Sequence, residues 1–289
     1  MALALKQTWA GYSTAVRLGW AVSSNWTRPV PFVIYTIVRP ISGALILVVM
    51  YTVITGGRAD TRTYLGFLLI GVAFWAFVTE GVSDFALGIL EDRGRFRMLK
   101  YVYLAPLRFP IFLVGRASSK LTSAAASVLI VLVVGTIGLR LPINPLAVNY
   151  GLLAIACLLA FVSVMAFSIT LSLILLAGRD SYGYGEMMAQ VLYIFSGAIF
   201  PISVLPGPLA FLASLSPLAY WLELARRAIL HGRVYEMFPT LSDGEVLLRL
   251  ALATAGTIVI GSLVYPWADR QARWQGFIDL ETPPSVWAP

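Results

Sequence analysis

Two acids four residues apart are the side chains of this sequence that most suggest chemistry. Glu80 and Asp84 interrupt an otherwise apolar run and lie on one face of a predicted helix. Carboxylates in such a run are costly and often functional. We expect them to pair with Arg116 or Lys120, or with Arg39; transmission of motion and a proton relay are the alternatives.

Catalytic sites of other kinds find little support in the sequence. His231 is the only histidine and Cys157, inside an apolar run, is the only cysteine, so we expect no metal site and no intrachain disulfide. The stretch "GRASSKLT" at residues 115–122 lacks the second glycine and the Gly-Lys pair of a nucleotide-binding phosphate loop. We therefore predict that this chain holds no cofactor of its own and hydrolyses no nucleotide.

A second charged cluster comes late in the chain, at Glu223, Arg226 and Arg227. Glu223 precedes Arg227 by four residues, which is the favourable order for an ion pair along a helix. We predict this ion pair. Contact of the two arginines with a charged headgroup is the alternative.

The elements that must position these residues are membrane helices. The 289 residues are 59% hydrophobic and only 12% charged, with a mean hydropathy of +0.82. Residues 141–178 and 187–222 carry no charge, and both runs exceed the roughly 20 residues that cross a bilayer core. The net charge of +7 comes from basic residues in short loops, where lipid headgroups are the expected partners and nucleic acid is not.

The apolar runs predict an all-α integral membrane protein with six transmembrane helices in a single domain, 1–289. An amphipathic stripe of Leu5, Trp9, Tyr12, Val16 and Trp20 predicts an interfacial helix within 1–28, lying in the headgroup layer or packed on other protein. A short tail, 268–289, follows the six-span core of 31–267. The predicted spans are 31–54, 64–87, 111–139, 146–177, 187–204 and 246–267.

The positions of Lys and Arg predict the orientation. With six spans, thirteen of these cations fall on the side of the two termini and seven on the other side. Loops rich in Lys and Arg stay in the cytoplasm. We therefore expect a multi-pass protein of the cell (cytoplasmic) membrane with both termini in the cytoplasm.

Four prolines interrupt the long uncharged run near the predicted fifth span: Pro201, Pro206, Pro208 and Pro217. Proline breaks helices, and irregular backbone at membrane depth needs cover from protein or a water-filled cavity. We predict a fifth span that ends near residue 202, followed by a re-entrant helical hairpin within 201–230 that dips from the outer face. An interfacial loop anchored by Trp221 is the alternative.

The second connection, residues 90–110, gathers an unusual amount of charge. Residues 92–104 predict one short amphipathic helix, which Pro106 and Pro110 end. Its apolar face would meet the membrane or a partner, and its basic face would meet water; these faces are Phe96, Leu99, Tyr103 and Leu104, and Arg93, Arg97 and Lys100. A basic loop anchored to headgroups is the alternative.

Two stretches resemble one known family. A glutamate followed by a basic helix and "LKYVYLAPLRFPIFLVGR" is similar to the cytoplasmic coupling segment of ABC-2 type exporter permeases, and "FSGAIFPISVLPGPLAFLASLSPLAYWLELARRAIL" resembles that family's fifth-span region. The first connection, "TGGRADTRT", is too short for the large extracellular domain of the lipoprotein-handling or macrolide-exporting ABC folds.

The resemblance implies a permease that dimerises with an identical or paralogous copy, each copy engaged by a separate ATP-binding cassette subunit that holds ATP and magnesium. It implies coupling contacts at Glu91, Arg93, Arg95, Arg97, Leu99, Lys100 and Pro106. It places an extracellular gate at the re-entrant segment, at Pro201, Pro206, Pro217, Glu223, Arg226 and Arg227.

We therefore predict the permease subunit of an exporter that moves a hydrophobic drug, lipid or glycolipid, with a polysaccharide precursor as the alternative cargo. Aromatic and small residues in 67–78 and 193–200 would line its path or pack helices tightly through Gly71, Gly197 and Ala198. Outside transport, the alternatives are a membrane-embedded transferase using Glu80, Asp84 or His231, and an anchor for a cytoplasmic complex.

Overall fold

The computed structural model describes residues 2–24, 61–105, 108–139, 146–178, 183–230 and 236–274, and short helical pieces between 38 and 54. Within these ranges the chain forms helices and turns and no strands, which confirms the all-α prediction. The helices are α1 (Ala2–Ser24), α2 (Thr61–Thr79), α3 (Phe85–Gly94), α4 (Leu99–Leu104), α5 (Phe109–Leu139), α6 (Tyr150–Leu176), α7 (Tyr184–Phe195), α8 (Gly207–Leu215), α9 (Pro217–Leu230) and α10 (Asp243–Trp274).

Four helical stretches in the described ranges are long and apolar enough to cross a membrane: Tyr64–Gly94, Phe109–Ile137, Tyr150–Leu176 and Asp243–Trp274. They correspond to the second, third, fourth and sixth predicted spans, and α8 and α9, which are bent against each other, together have the length and composition of one more span. Half of the predicted first span, 31–54, lies outside the described residues. The chain is therefore a multi-pass membrane protein.

Two helices extend beyond the predicted span boundaries. The second span continues through a π-helical turn, Glu80–Asp84, into α3 and ends only at Gly94. The last helix reaches Trp274, past the predicted start of the tail at residue 268, and accommodates Pro266 in its interior. Both extensions carry charged residues. Charge lowers the hydropathy, and so marks the end of a predicted span, but it does not require the helix to end.

The predicted fifth span, 187–204, does not form one helix. Helix α7 ends at Phe195, and Gly197 then takes a left-handed conformation with φ of 74°, which glycine adopts without steric cost. Twelve residues of helix are about 18 Å long, too short for a bilayer core of about 30 Å. The segment from 187 to 204 is therefore a short helix and an irregular turn. Together they run along the second span, from Ser83, which donates to Glu186, to Tyr64, which donates to the carbonyl oxygen of Ile199.

The prolines that follow start helices instead of interrupting them. Pro201 and Pro206 precede a 3₁₀ turn (Ile202–Val204) and α8, and Pro217 is the first residue of α9. No intrahelical N–H is needed at these positions. Helices α8 and α9 meet at an angle of 81° around Ser216.

The α8 and α9 segment enters and leaves the bundle at the same end. The bend at Ser216 shares a cavity with Val78 and Val82, well along the second span. The last residue of α9, Leu230, lies against Gly66 at the start of that span. Ahead of α8, the carbonyl oxygen of Ile199 accepts a hydrogen bond from Tyr64, near the same start. Both ends of the segment therefore lie near the start of α2, as the predicted re-entrant hairpin requires. Trp221 is only 2% exposed, so the alternative of an interfacial loop anchored by this side chain is wrong.

Helix α1 forms as predicted and packs against α5 through small residues. Ala15 and Gly19 are buried there, while Trp9 and Trp20 remain exposed, 69% and 41%. The helix thus has one face on protein and an aromatic face available to the headgroup layer. Close packing of small residues is a usual way for helices to associate in membranes.

Replacing Gly115 with alanine should separate α1 from α5. A Cβ atom there would lie 2.7 Å from the Ala15 Cβ and 2.9 Å from the carbonyl oxygen of Tyr12. We expect a loss of about 1–3 kcal/mol, seen as a lower midpoint of thermal unfolding in detergent. Gly256→Ala in α10 is the matched control, because no atom lies within 4 Å of its added Cβ. Equal midpoints for the two variants would contradict the close packing.

Candidate functional site

Five helices meet at one end of the bundle, which we call the basic end: the ends of α3, α6 and α10, the start of α5, and the short helix α4. Arg93 of α3 donates hydrogen bonds to the carbonyl oxygens of Leu176 and Gly178, at 3.2 and 3.0 Å, and so caps the C-terminus of α6. The Tyr103 hydroxyl of α4 donates to Asp269 of α10 at 3.0 Å. The second connection, the end of α6 and the end of α10 therefore lie together, as the predicted six spans require.

Two contacts fix α4 to its neighbours at the basic end. The ring of Tyr103 stacks on Phe109 at the start of α5, with 4.4 Å between centroids. The guanidinium of Arg273 lies 4.9 Å from the same ring. Burial, together with the Asp269 carboxylate, raises the pKa of Tyr103, so its hydroxyl keeps the proton that it donates. Helix α4 is thus joined to both α5 and α10.

The single amphipathic helix predicted for residues 92–104 is wrong. Helix α3 ends at Gly94, and hydrogen bonds from Phe96 N to Glu91 O and from Met98 N to Asp92 O close a turn before α4 begins. Arg97 in this turn has φ of 50°. That left-handed conformation costs an L-residue about 1–2 kcal/mol, and strained residues of this kind cluster at functional sites.

The residues predicted to make coupling contacts differ in solvent exposure: some are buried and others are exposed. Arg93 and Leu99 are buried, so the prediction that Arg93 faces water is wrong. Arg95 and Arg97 are exposed, and Glu91 and Lys100 are half-buried. Pro106 lies outside the described residues.

Exposed rings and cations lie side by side on this turn. Tyr101 and Leu104 are 65% and 82% exposed, and the guanidinium of Arg95 lies 5.6 Å from the ring of exposed Phe96. Large exposed apolar side chains among cations are typical of a protein contact surface. We call this set the turn surface: Arg95, Phe96, Arg97, Tyr101 and Leu104.

A buried ion pair that the sequence analysis did not predict lies directly behind the turn surface. Arg116 donates from Nε and Nη2 to the two carboxylate oxygens of Asp92, at 3.0 and 2.9 Å. The two side chains are 3% and 0% exposed. The Arg116 partner is therefore Asp92, and the prediction that this arginine pairs with Glu80 or Asp84 is wrong. The one available signal was spacing: both residues lie twelve positions from Leu104, where the chain reverses.

Arg116 also connects the turn to the N-terminal helix. Its Nη1 donates to the carbonyl oxygen of Gly19 in α1, at 3.4 Å. One guanidinium group on α5 thus contacts both α1 and α3. Through Arg116, the turn surface is therefore mechanically connected to α1, α3 and α5.

The predicted acid pair lies deeper in the bundle. Glu80 accepts a hydrogen bond from the Ser127 hydroxyl of α5 at 2.8 Å, and Asp84 is half-buried at the start of α3. Between them, Ser83 donates to Glu186 of α7 at 2.7 Å. Both acids belong to the π-helical turn, a feature common at functional sites.

At the opposite end, the Glu223–Arg227 pair is present as predicted. Arg227 Nε donates to Glu223 at 2.8 Å, and the side chains are 7% and 2% exposed. Arg227 also donates to Asp243 and to the carbonyl oxygens of Phe238 and Leu241, all within 2.9 Å. This arginine holds residues 238–243 against α9.

Arg226 lies inside the protein. Its Nη2 donates to the carbonyl oxygen of Ala198 at 2.9 Å, and its guanidinium lies 3.5 Å from the ring of Phe67. Gly71 admits this contact, because a Cβ there would collide with the same carbonyl oxygen and with the guanidinium. The small residues singled out in the sequence thus pack α2 tightly against the turn after α7. Both arginines are engaged by protein groups, which favours the structural interpretation over contact with a headgroup.

Comparison with known proteins identifies the family of this chain. A model of the ABC-2 type transporter family matches residues 18–230, which include the turn surface, the buried ion pair and the bent α8 and α9 segment. A search of curated proteins found no match. The family match covers more than two thirds of the chain. Membrane domains of this family normally work with an ATP-binding subunit. The chain therefore belongs to the ABC-2 type transporter family, and it is the membrane permease of an ABC-type transport system.

Proposed function

We propose that this permease belongs to an exporter that moves a hydrophobic drug, lipid or glycolipid across the cytoplasmic membrane. The observation that carries the proposal is the turn surface, an exposed set of cations and rings. Directly behind it lie the buried contacts of Asp92 with Arg116 and of Arg93 with the end of α6. The basic end faces the cytoplasm, and a separate ATP-binding subunit, holding ATP and magnesium, docks there.

The buried contacts explain how the docked subunit moves the permease. Closure of the ATP-binding subunits displaces the turn surface. Asp92 and Arg116 pass that displacement to α1 and α5, and Arg93 passes it to the end of α6. A second permease copy, identical or paralogous, completes the path. Nucleotide then shifts the equilibrium between inward-open and outward-open states, because it binds the two states with different affinity.

The interior of the described bundle supports a hydrophobic cargo. A cavity of about 390 Å³ beside the α8 and α9 bend is lined by apolar side chains such as Val82, Phe167 and Leu215. The neighbouring bend, with Pro217 at its start, is the proposed extracellular gate. A polysaccharide exporter would instead need an aromatic-lined tunnel as wide as a sugar chain. A transferase using Glu80 would instead turn over its substrate with this chain alone, without nucleotide.

Reversing the charge of Arg95 and Arg97 should release the ATP-binding subunit. Both side chains are exposed, so the permease should stay folded, while a cationic contact surface becomes anionic. The measurement is co-purification of the subunit with the tagged permease, for Arg95→Glu and Arg97→Glu singly and together. We expect progressive loss of the ATPase.

Arg249→Glu is the matched control, because this exposed arginine lies near the start of α10 at the opposite end. It should retain the ATPase. Full retention by the double variant would show that the turn surface is not the docking site. A folded wild-type permease that never retains an ATPase would overturn the exporter proposal.

A further inference from the structure

A second cavity opens between α2, α5, α6 and α9, away from the basic end. Its volume is about 280 Å³, and its walls include Phe74, Phe77, Leu129, Cys157, Phe161 and Trp221. No Asp, Glu, Lys or Arg contributes to its walls among the described residues. The cavity therefore suits an uncharged occupant.

One polar group in these walls, the Trp221 indole N–H, has no acceptor of ordinary geometry among the described residues. The Trp221 side chain is 2% exposed, and its ring meets Phe74 and Phe77 edge to face at 5.1 and 5.5 Å. Its indole N–H makes no hydrogen bond of ordinary geometry with any described residue, although the Cys157 thiol lies beside it. A buried donor without an acceptor costs free energy, so an acceptor brought into the cavity would stabilise the site.

The position of the cavity indicates where such an acceptor comes from. Leu129, on the outer face of α5, is 64% exposed and forms part of the wall, as does exposed Ala125. The outer face of a spanning helix meets lipid. An occupant would therefore enter sideways from the bilayer.

The volume limits the size of the occupant. A cavity of about 150 Å³ accommodates benzene, so about 280 Å³ accommodates a bicyclic or tricyclic ring system and is too small for a whole phospholipid. The aromatic walls favour a flat ring over a single acyl chain.

We propose that this cavity binds an uncharged, ring-bearing, membrane-dissolved molecule whose carbonyl or hydroxyl oxygen accepts the Trp221 N–H. The site lies within one permease copy and needs neither nucleotide nor the ATP-binding subunit. The proposal therefore stands or falls separately from the proposed export function.

The test uses the single cysteine as a reporter on the purified permease in lipid nanodiscs. The rate of Cys157 alkylation by monobromobimane is measured with 2-acetylnaphthalene, a bicyclic ketone, and with 2-ethylnaphthalene, its counterpart without an acceptor. Equilibrium binding of the tritiated ketone, and its displacement by the unlabelled hydrocarbon, is measured on the same proteins as the second readout. We expect the ketone to bind about two- to tenfold more tightly than the hydrocarbon and to slow alkylation at lower concentration.

Three variants make the test specific. Trp221→Phe keeps a ring but removes the N–H, and it should abolish the preference for the ketone. Ala125→Phe should block the cavity mouth and abolish saturable binding of both probes. Trp267→Phe, at an exposed position on α10, should change neither result. Equal binding of the two probes to wild type would overturn the role of Trp221, and saturable binding unchanged by Ala125→Phe would overturn the site.

Discussion

Replacing Asp92 with alanine is expected to destabilise the permease by about 3–5 kcal/mol, because Arg116 would remain buried without its carboxylate. Both side chains are withdrawn from solvent, and the two hydrogen bonds between them are short. The expected result is a lower midpoint of thermal unfolding in detergent and a lower yield of folded protein.

The neighbouring acid provides the control for this prediction. Glu91 forms a loose pair with Arg95 at 3.8 Å, with side chains 25% and 56% exposed. Exposed pairs contribute about 0–1 kcal/mol, so Glu91→Ala should unfold nearly as the wild type does. If Asp92→Ala is equally mild, the buried pair contributes little.

The paired variant Asp92→Leu with Arg116→Met separates stability from coupling. Apolar residues of similar volume often replace a buried ion pair without loss of stability. We therefore expect the paired variant to regain most of the lost stability. It also loses the hydrogen bond to Gly19. If that contact carries motion to α1, the folded variant should retain the ATP-binding subunit and show impaired transport.

Replacing Arg227 with methionine is the second change with a large expected effect. The substitution leaves the Glu223 carboxylate buried without its cation and removes the contacts to Phe238, Leu241 and Asp243. We expect a loss of about 3–5 kcal/mol. Amide hydrogen exchange of residues 236–243 should accelerate, because Arg227 holds them against α9.

An exposed pair of the same geometry is the matched control for Arg227. Arg273 Nε donates to Asp269 four residues earlier, at 3.0 Å, but the arginine side chain is 55% exposed. Arg273→Met should cost about 0–1 kcal/mol and leave the exchange of residues 236–243 unchanged. Similar unfolding midpoints for the two variants would show that burial does not strengthen the Arg227 contacts.

The sequence by itself determined the features that depend on composition and local spacing. Long uncharged runs identify spanning helices because a bilayer core admits about 20 apolar residues at a time. The Glu223–Arg227 pair follows from helix geometry, which places residues four apart on one face. The motifs after the second span and around 195–230 were sufficient to recognise the family, which the match over residues 18–230 shows.

Only the tertiary structure decided which polar residues lie inside. Arg93 and Arg97 have the same charge and lie four residues apart, yet one caps α6 and the other is exposed in a strained turn. Asp92 and Arg116 meet because α3 and α5 run side by side, and no local pattern records that contact.

The physical reason lies in the solvent. Lipid tails are as apolar as a protein core, so hydrophobicity does not distinguish a helix face that meets lipid from one that meets another helix. Phe74 in the core and Ile137 on the outside of α5 look alike in the sequence, although they are 5% and 74% exposed. Which face is covered depends on helices that are distant in the chain, and only their packing assigns the turn surface, the buried ion pair and the cavity at Trp221 to their places.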